Sequence, residues 1–110
     1  MRLDVLRAEV LELPALRGSD LSGDGSVDVI AVHHDSRAVE PGSLFCCVTG
    51  ARFDGHVFAP AAVDAGAVAL LCERPVGSGV AELRVASTRA AMGPVSAEVY
   101  GHPSRRLSVL

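Results

Sequence analysis

Apolar and polar positions along this chain fall into blocks whose period changes, and each change marks a predicted element. Leu3, Leu6, Val10 and Leu13 recur at helical spacing over residues 2–13, which predicts a short amphipathic helix closed by Pro14. Arg17 to Ser26 is polar and carries Gly18, Gly23 and Gly25, the composition of a loop. Val27-Asp28-Val29-Ile30-Ala31-Val32-His33 then reads as a strand running straight into Asp35-Ser36-Arg37. After a Pro41-Gly42 turn, Leu44-Phe45-Cys46-Cys47-Val48 is apolar without a break, the pattern of a strand buried on both faces.

A glycine-bounded loop, Thr49 to Gly55, leads to a predicted helix over Phe58 to Ala65, with Pro60 near its first turn and Gly66 just past its end. Val68-Ala69-Leu70-Leu71-Cys72 is a second buried strand. Strand, loop, helix and strand within about 30 residues make a βαβ unit, so these two strands are expected to be parallel with a right-handed crossover. Glu82 to Val85 is expected to join the same sheet. Ser87 suits the N-cap of a helix reaching Tyr100, with Ala91, Val95 and Val99 inward, Pro94 interrupting its hydrogen bonds, and Gly101 and Pro103 beyond its end. Leu107-Ser108-Val109-Leu110 reads as the start of another strand, and an apolar end of that kind suggests a piece of a longer protein. The expected fold is α/β: a single small domain with a mostly parallel sheet, a βαβ unit and flanking helices. Residues 1–26 form an N-terminal helix and loop and residues 27–110 the ligand-holding domain.

Composition narrows the function classes. At 110 residues the chain supports one modest core, and three Phe, one Tyr and no Trp make that core aliphatic. The net charge is −3 and the basic residues are scattered, so no basic stripe is present to track a nucleic acid. No run approaches the roughly 20 apolar residues that span a bilayer, and the first residues lack a signal pattern, so a cytoplasmic protein without a membrane partner is expected. Cys46, Cys47 and Cys72 lie in apolar runs, where reduced thiols act as small core hydrophobes. All ten basic residues are Arg. The absence of Lys removes a P-loop lysine, Schiff-base chemistry and a lysine base together, so no ATP-driven chemistry is expected of this chain alone.

In a parallel α/β sheet, ligands bind beyond the carboxyl ends of the strands, where loops converge. Two loops fall there: His34-Asp35-Ser36-Arg37 and Thr49-Gly50-Ala51-Arg52-Phe53-Asp54-Gly55-His56. The second has the parts of a diphosphate cradle. Gly50 and Gly55 free the backbone, Arg52 offers a charged fork, and Phe53 gives a base or sugar an apolar face. The competing reading is a plain turn in which Asp54 pairs with an Arg. For the first loop it is a local Asp35–Arg37 ion pair without ligand contact. His33 and His34 are neighbours in a strand and point to opposite faces, which argues against a shared metal. Ser36 lacks the glycine elbow of a nucleophile. No catalytic residue and no metal ligand is assigned.

At these loops the sequence resembles the N-terminal domain of the Mur ligases, which build the peptidoglycan stem peptide. The resemblance covers roughly residues 27–110 and rests on Asp35-Ser36-Arg37, Glu40-Pro41-Gly42-Ser43-Leu44-Phe45, Gly50 through His56, the Ala-Gly-Ala-Val core within Ala62 to Leu71, and Tyr100-Gly101-His102-Pro103-Ser104 followed by Leu107. The closing stretch is similar to that of the third, tripeptide-forming ligase, MurE. The resemblance implies an intact enzyme in which ATP and Mg²⁺ activate the D-Glu carboxylate of UDP-N-acetylmuramoyl-L-Ala-D-Glu as an acyl phosphate, which a diamino acid amine attacks. In that scheme this domain anchors the UDP part, and central ATPase and C-terminal domains of the same protein supply the rest. Uridine and phosphate contacts carry over to His34, Ser36, Ala51, Arg52 and Phe53, supported by Asp35, Arg37, Gly50, Asp54 and Gly55. MurE enzymes often have His-Gln-Ala where this chain has Ala51-Arg52-Phe53, and the Arg-Phe-Asp version also resembles the fourth ligase, MurF. An interaction module without nucleotide affinity is the alternative from another class.

Overall fold

Strand alternation sends side chains to two faces of one five-stranded sheet, and helices cover both. The computed structural model describes residues 1–10, 19–48 and 54–100. Helix α1 spans Leu3–Val10, and the strands are β1 (Asp20–Ser22), β2 (Ala31–His33), β3 (Ser43–Cys46), β4 (Ala69–Cys72) and β5 (Ala81–Arg84). Helix α2 is Ala59–Asp64 and α3 is Thr88–Tyr100. The sheet order is β1-β5-β4-β3-β2. Strands β2 to β5 are parallel, with Val32 opposite Leu44, Phe45 opposite Leu70 and Leu70 opposite Glu82. Among the described strands only β1 runs antiparallel, against β5.

The two faces account for the unbroken apolar runs. Leu44, Cys46, Leu71 and Leu83 point to one side, where Leu3 and Leu6 of α1 and Ala91, Val95 and Val99 of α3 close a core. Phe45, Cys47, Leu70 and Cys72 point to the other, under Ala59 and Ala62 of α2. All three cysteines are buried free thiols, and burial pushes each up to about 12. The helix-closing glycine is required: Gly66 has φ +115°, and a Cβ there would stand 2.7 Å from the Pro41 Cα. Ser87 caps α3 as expected, its Oγ accepting the Ala90 N–H at 3.2 Å. Pro94 sits inside that helix.

Three local expectations change. The polar stretch 17–26 contributes a strand, β1, which forms only because β5 offers a free edge. Its burial is slight, so no apolar alternation announced it. The predicted strand 27–33 is shortened to Ala31–His33 because residues before it serve other partners. The Leu3 N–H donates to the Val27 carbonyl at 2.9 Å, and the Val29 N–H to the Met1 carbonyl at 2.7 Å. The predicted helix 58–65 is preceded by a 3₁₀ turn over Gly55–Phe58, capped by Asp54. Helix α1 and strand β1 are thus built into the same core and sheet as β2 to β5 and α3. Leu13, Pro14, Gly101 to Ser104 and the predicted strand at Leu107 to Leu110 lie outside the described residues.

Strand β2 forms the far edge of the sheet. The Tyr100 hydroxyl covers it, accepting the Val32 N–H at 2.6 Å and donating to the Val32 carbonyl at 3.1 Å. That contact ties the end of α3 to the strand whose carboxyl end leads into the first candidate loop.

Candidate functional site

The four parallel strands release their following loops at one end of the sheet, where a crevice of about 650 Å³ opens. That volume suits a small-molecule ligand. His34, Asp35, Ser36 and Arg37 form the wall after β2, Val48 and Gly55 belong to the loop after β3, Phe58 leads into α2, and Arg89 stands in the first turn of α3.

The first wall is built by a short cap. Asp35 ends the extended backbone and its Oδ1 accepts the Arg37 N–H at 3.0 Å, starting a 3₁₀ turn over Ser36–Ala38. The same carboxylate takes Arg37 Nε at 3.1 Å and Nη2 at 2.9 Å. The Arg37 side-chain and backbone hydrogen bonds hold the Asp35 carboxyl down to about 2. The local ion pair weighed against ligand binding therefore exists, and the turn it shapes also lines the crevice. His33 and His34 diverge as strand alternation requires: His34 faces the crevice, while His33 lies 3.7 Å from Glu40.

The second wall depends on close backbone contact. The Gly55 N–H donates to the Val48 carbonyl at 2.9 Å, and a Cβ on Gly55 would lie 2.7 Å from both the nitrogen and the oxygen of Val48. The two ends of the glycine-bounded loop are thus pinned together at the crevice. Gly50, Ala51, Arg52 and Phe53 lie outside the described residues. Asp54 does not line the crevice. Its carboxylate accepts from the His56 N–H, the His56 ring and Arg74, which keep it well below the usual carboxylate range. An Asp54–Arg pair is therefore present, with Arg74 as partner.

Of the residues expected from sequence, His34, Ser36, Asp35, Arg37 and Gly55 share one crevice. Val48, Phe58 and Arg89 join them and were not foreseen. Arg89 carried a usable signal, because a cation in the first turn of a helix opposes the helix dipole. Among the described residues no group of three or more His, Cys, Asp or Glu could hold a metal ion. The chain has no Lys, the residue that a glycine-loop ATP site sets against the phosphates. No described helix is long and apolar enough to cross a membrane.

Comparison with known proteins gives the family and the fold. The family described as "Mur ligase family, catalytic domain" matches residues 28–109. The chain is similar to the UDP-N-acetylmuramoyl-L-alanyl-D-glutamate--2,6-diaminopimelate ligase of Geobacillus thermodenitrificans, 43% identical over 98 residues, covering 89% of this chain and 20% of that protein. It is 42% identical over 86 residues to a UDP-N-acetylmuramyl-tripeptide synthetase of Roseiflexus, covering 76% of this chain and 17% of that protein. Among solved structures, MurF from Acinetobacter baumannii superposes with a TM-score of 0.57 at 38% identity, over 62% of this chain and 15% of that one. MurF from Thermotoga maritima, solved in complex with ADP, gives 0.56 at 29% identity, over 69% of this chain and 17% of that one. The chain spans about a fifth of the length of the curated relatives it matches.

Proposed function

The chain belongs to the Mur ligase family, and from that premise we propose that its crevice holds the UDP part of UDP-N-acetylmuramoyl-L-Ala-D-Glu. The protein it represents is then an ATP-dependent, amide-forming ligase that adds a diamino acid to the peptidoglycan stem peptide in the cytoplasm. ATP, Mg²⁺ and the acceptor amine are handled by central and C-terminal domains. This chain's own part is to bind and orient.

One observation carries the reading: two loops separated in sequence bring His34, Ser36, Arg37 and Gly55 to a single crevice at the carboxyl ends of parallel strands. Arg89 supplies positive charge for a diphosphate, and Arg37, whose charge is met by Asp35, offers the N–H groups that the carboxylate does not take. Phe58 and Val48 supply an apolar surface for a base or sugar. Ala51, Arg52 and Phe53, carried between the pinned ends Val48 and Gly55, complete the proposed contacts.

Calorimetric titration of the folded protein with UDP, uridine and the UDP-muramoyl dipeptide tests it. UDP is expected to bind and uridine to bind more weakly. No heat with millimolar UDP would sink the reading and leave the interaction module in its place. A MurF-type assignment is favoured by the Acinetobacter and Thermotoga structures and by Arg52-Phe53-Asp54, whereas the curated relatives favour the diaminopimelate ligase. Amide formation by the whole enzyme with diaminopimelate and the dipeptide substrate, against D-Ala-D-Ala and the tripeptide substrate, separates the two.

A further inference from the structure

A circuit of hydrogen bonds runs beside the crevice through residues that do not face it. The Asp54 Oδ1 accepts the His56 N–H at 2.9 Å and the ring Nδ1–H at 2.5 Å, and its Oδ2 accepts Arg74. On the far side of the ring, His56 Nε2 accepts the Glu73 N–H at 2.9 Å. The Glu73 Oε2 accepts the Thr88 N–H at 2.8 Å. The Thr88 hydroxyl lies 3.0 Å from that carboxylate and 3.1 Å from the Cys47 carbonyl, sharing one proton between two acceptors. Each member is the chain neighbour of a crevice residue or is bonded to such a neighbour: Cys47 precedes Val48, Asp54 precedes Gly55, and Thr88 precedes Arg89.

The partners admit one protonation pattern for the His56 ring, whose side chain is only 3% exposed. A backbone N–H can only donate, so Nε2 must be bare. An ionised carboxylate can only accept, so Nδ1 must carry the proton. Both ring nitrogens are thus committed to structure, and neither is free for a ligand.

We propose that His56, as its neutral Nδ1–H tautomer, is the positioning residue of this crevice. It locks the returning end of the loop to the end of β4 and, through Glu73 and Thr88, sets the place of Arg89. This rests on the reading of the crevice as a UDP site, and the test keeps the two separable.

The protein and its His56→Phe and His56→Gln variants are titrated with UDP, with ring nitrogens followed by long-range ¹H–¹⁵N correlation and backbone amides by hydrogen exchange. The wild-type ring is expected to show a protonated Nδ1 and a bare Nε2. His56→Phe should weaken UDP about tenfold or more and speed exchange at the Glu73, Gly55 and Thr88 amides, as loss of buried hydrogen bonds predicts. His56→Gln puts an amide oxygen where Nε2 stands, accepts the Glu73 N–H again, and should bind within about threefold of wild type. A protonated Nε2, or a His56→Phe variant that binds UDP as wild type does, overturns the proposal. If His56→Phe does not fold, Glu73→Ala removes the acceptor of both Thr88 bonds and so cuts the same circuit, and unchanged UDP binding by that variant overturns it. If wild type itself does not bind UDP, the UDP reading fails alone. The tautomer and the exchange at Gly55 and Thr88 then still decide whether His56 positions the loop: accelerated exchange in His56→Phe supports it and unchanged exchange overturns it.

Discussion

Gly55→Ala perturbs the crevice through a single methyl group. The added Cβ would meet the Val48 nitrogen and oxygen at 2.7 Å and the Cys47 carbonyl carbon at 2.9 Å, all backbone atoms that cannot rotate away. Ordinary contact begins at 3.4 Å, so the two ends of the loop must part by about 0.7 Å, the difference of those distances. That movement opens the Gly55 N–H to Val48 carbonyl bond, now 2.9 Å. Overpacking at a rigid site costs about 1–3 kcal/mol and a lost buried hydrogen bond adds about 1 kcal/mol, which together give about 2–4 kcal/mol. A domain of this size holds about 5–15 kcal/mol in total, so the variant still folds in cool buffer but melts on the order of 10 °C lower.

Urea unfolding followed by circular dichroism, with UDP titration on the same samples, reads both consequences. The midpoint should fall, and UDP affinity should fall by about tenfold because the crevice wall has moved. Gly77→Ala is the control: its φ of +71° is strained for Ala but nothing lies within 4 Å, so about 1 kcal/mol is lost without an effect on UDP. A Gly55→Ala protein within about 0.5 kcal/mol of wild type would refute the claim that Val48 and Gly55 are pinned in contact.

Tyr100→Phe removes the hydroxyl that serves both polar groups of Val32 on the sheet edge. It should cost about 1 kcal/mol in urea unfolding and speed hydrogen exchange at Val32, whereas unchanged exchange would deny the edge contact. Arg89→Gln should weaken UDP several-fold more than uridine, and equal losses for both ligands would remove Arg89 from the phosphate side of the crevice. The three thiols, raised to about 12, should ignore a thiol reagent at neutral pH until the chain unfolds. Their contribution to stability is whole below the ordinary value of 9.0 and is lost as pH rises through about 12, so alkaline unfolding should set in over that window. The Asp35 carboxyl moves the other way: depressed to about 2, it favours the fold above the ordinary 3.8 and ceases to as pH falls through about 2, which a carboxyl-carbon NMR titration measures.

The elements that sequence predicts well are those whose burial is decided locally. Leu44 to Val48 and Val68 to Cys72 are apolar at every position because helices lie on both faces of the sheet, and Ser87, Pro60 and Gly66 mark helix ends through their own backbone chemistry. Strand β1 was invisible because Asp20, Leu21 and Ser22 owe their extended form to β5 partners about sixty residues away, and not to any pattern of their own. The truncation of β2 has the same origin. Val27 to Ile30 is a good strand sequence, but the backbone before α1 and the Gly42 carbonyl claim its hydrogen bonds first.

The crevice divides along a similar line. Its first wall was legible because Asp35-Ser36-Arg37 builds its own turn, and Gly55 was legible as a glycine where the backbone needs room. What escaped was everything that depends on the sheet gathering distant segments: Arg89 from the start of α3, and the His56–Glu73–Thr88 circuit that ties it to the loop. His56 in particular has no local mark of its role. Its two ring nitrogens are satisfied by Asp54, two residues back, and by the Glu73 amide, seventeen residues ahead, and only the second contact makes it more than a capping partner. The residues behind the crevice spend their polar groups on each other, and that internal satisfaction holds Asp54, His56 and the Glu73 amide in place without a core of their own.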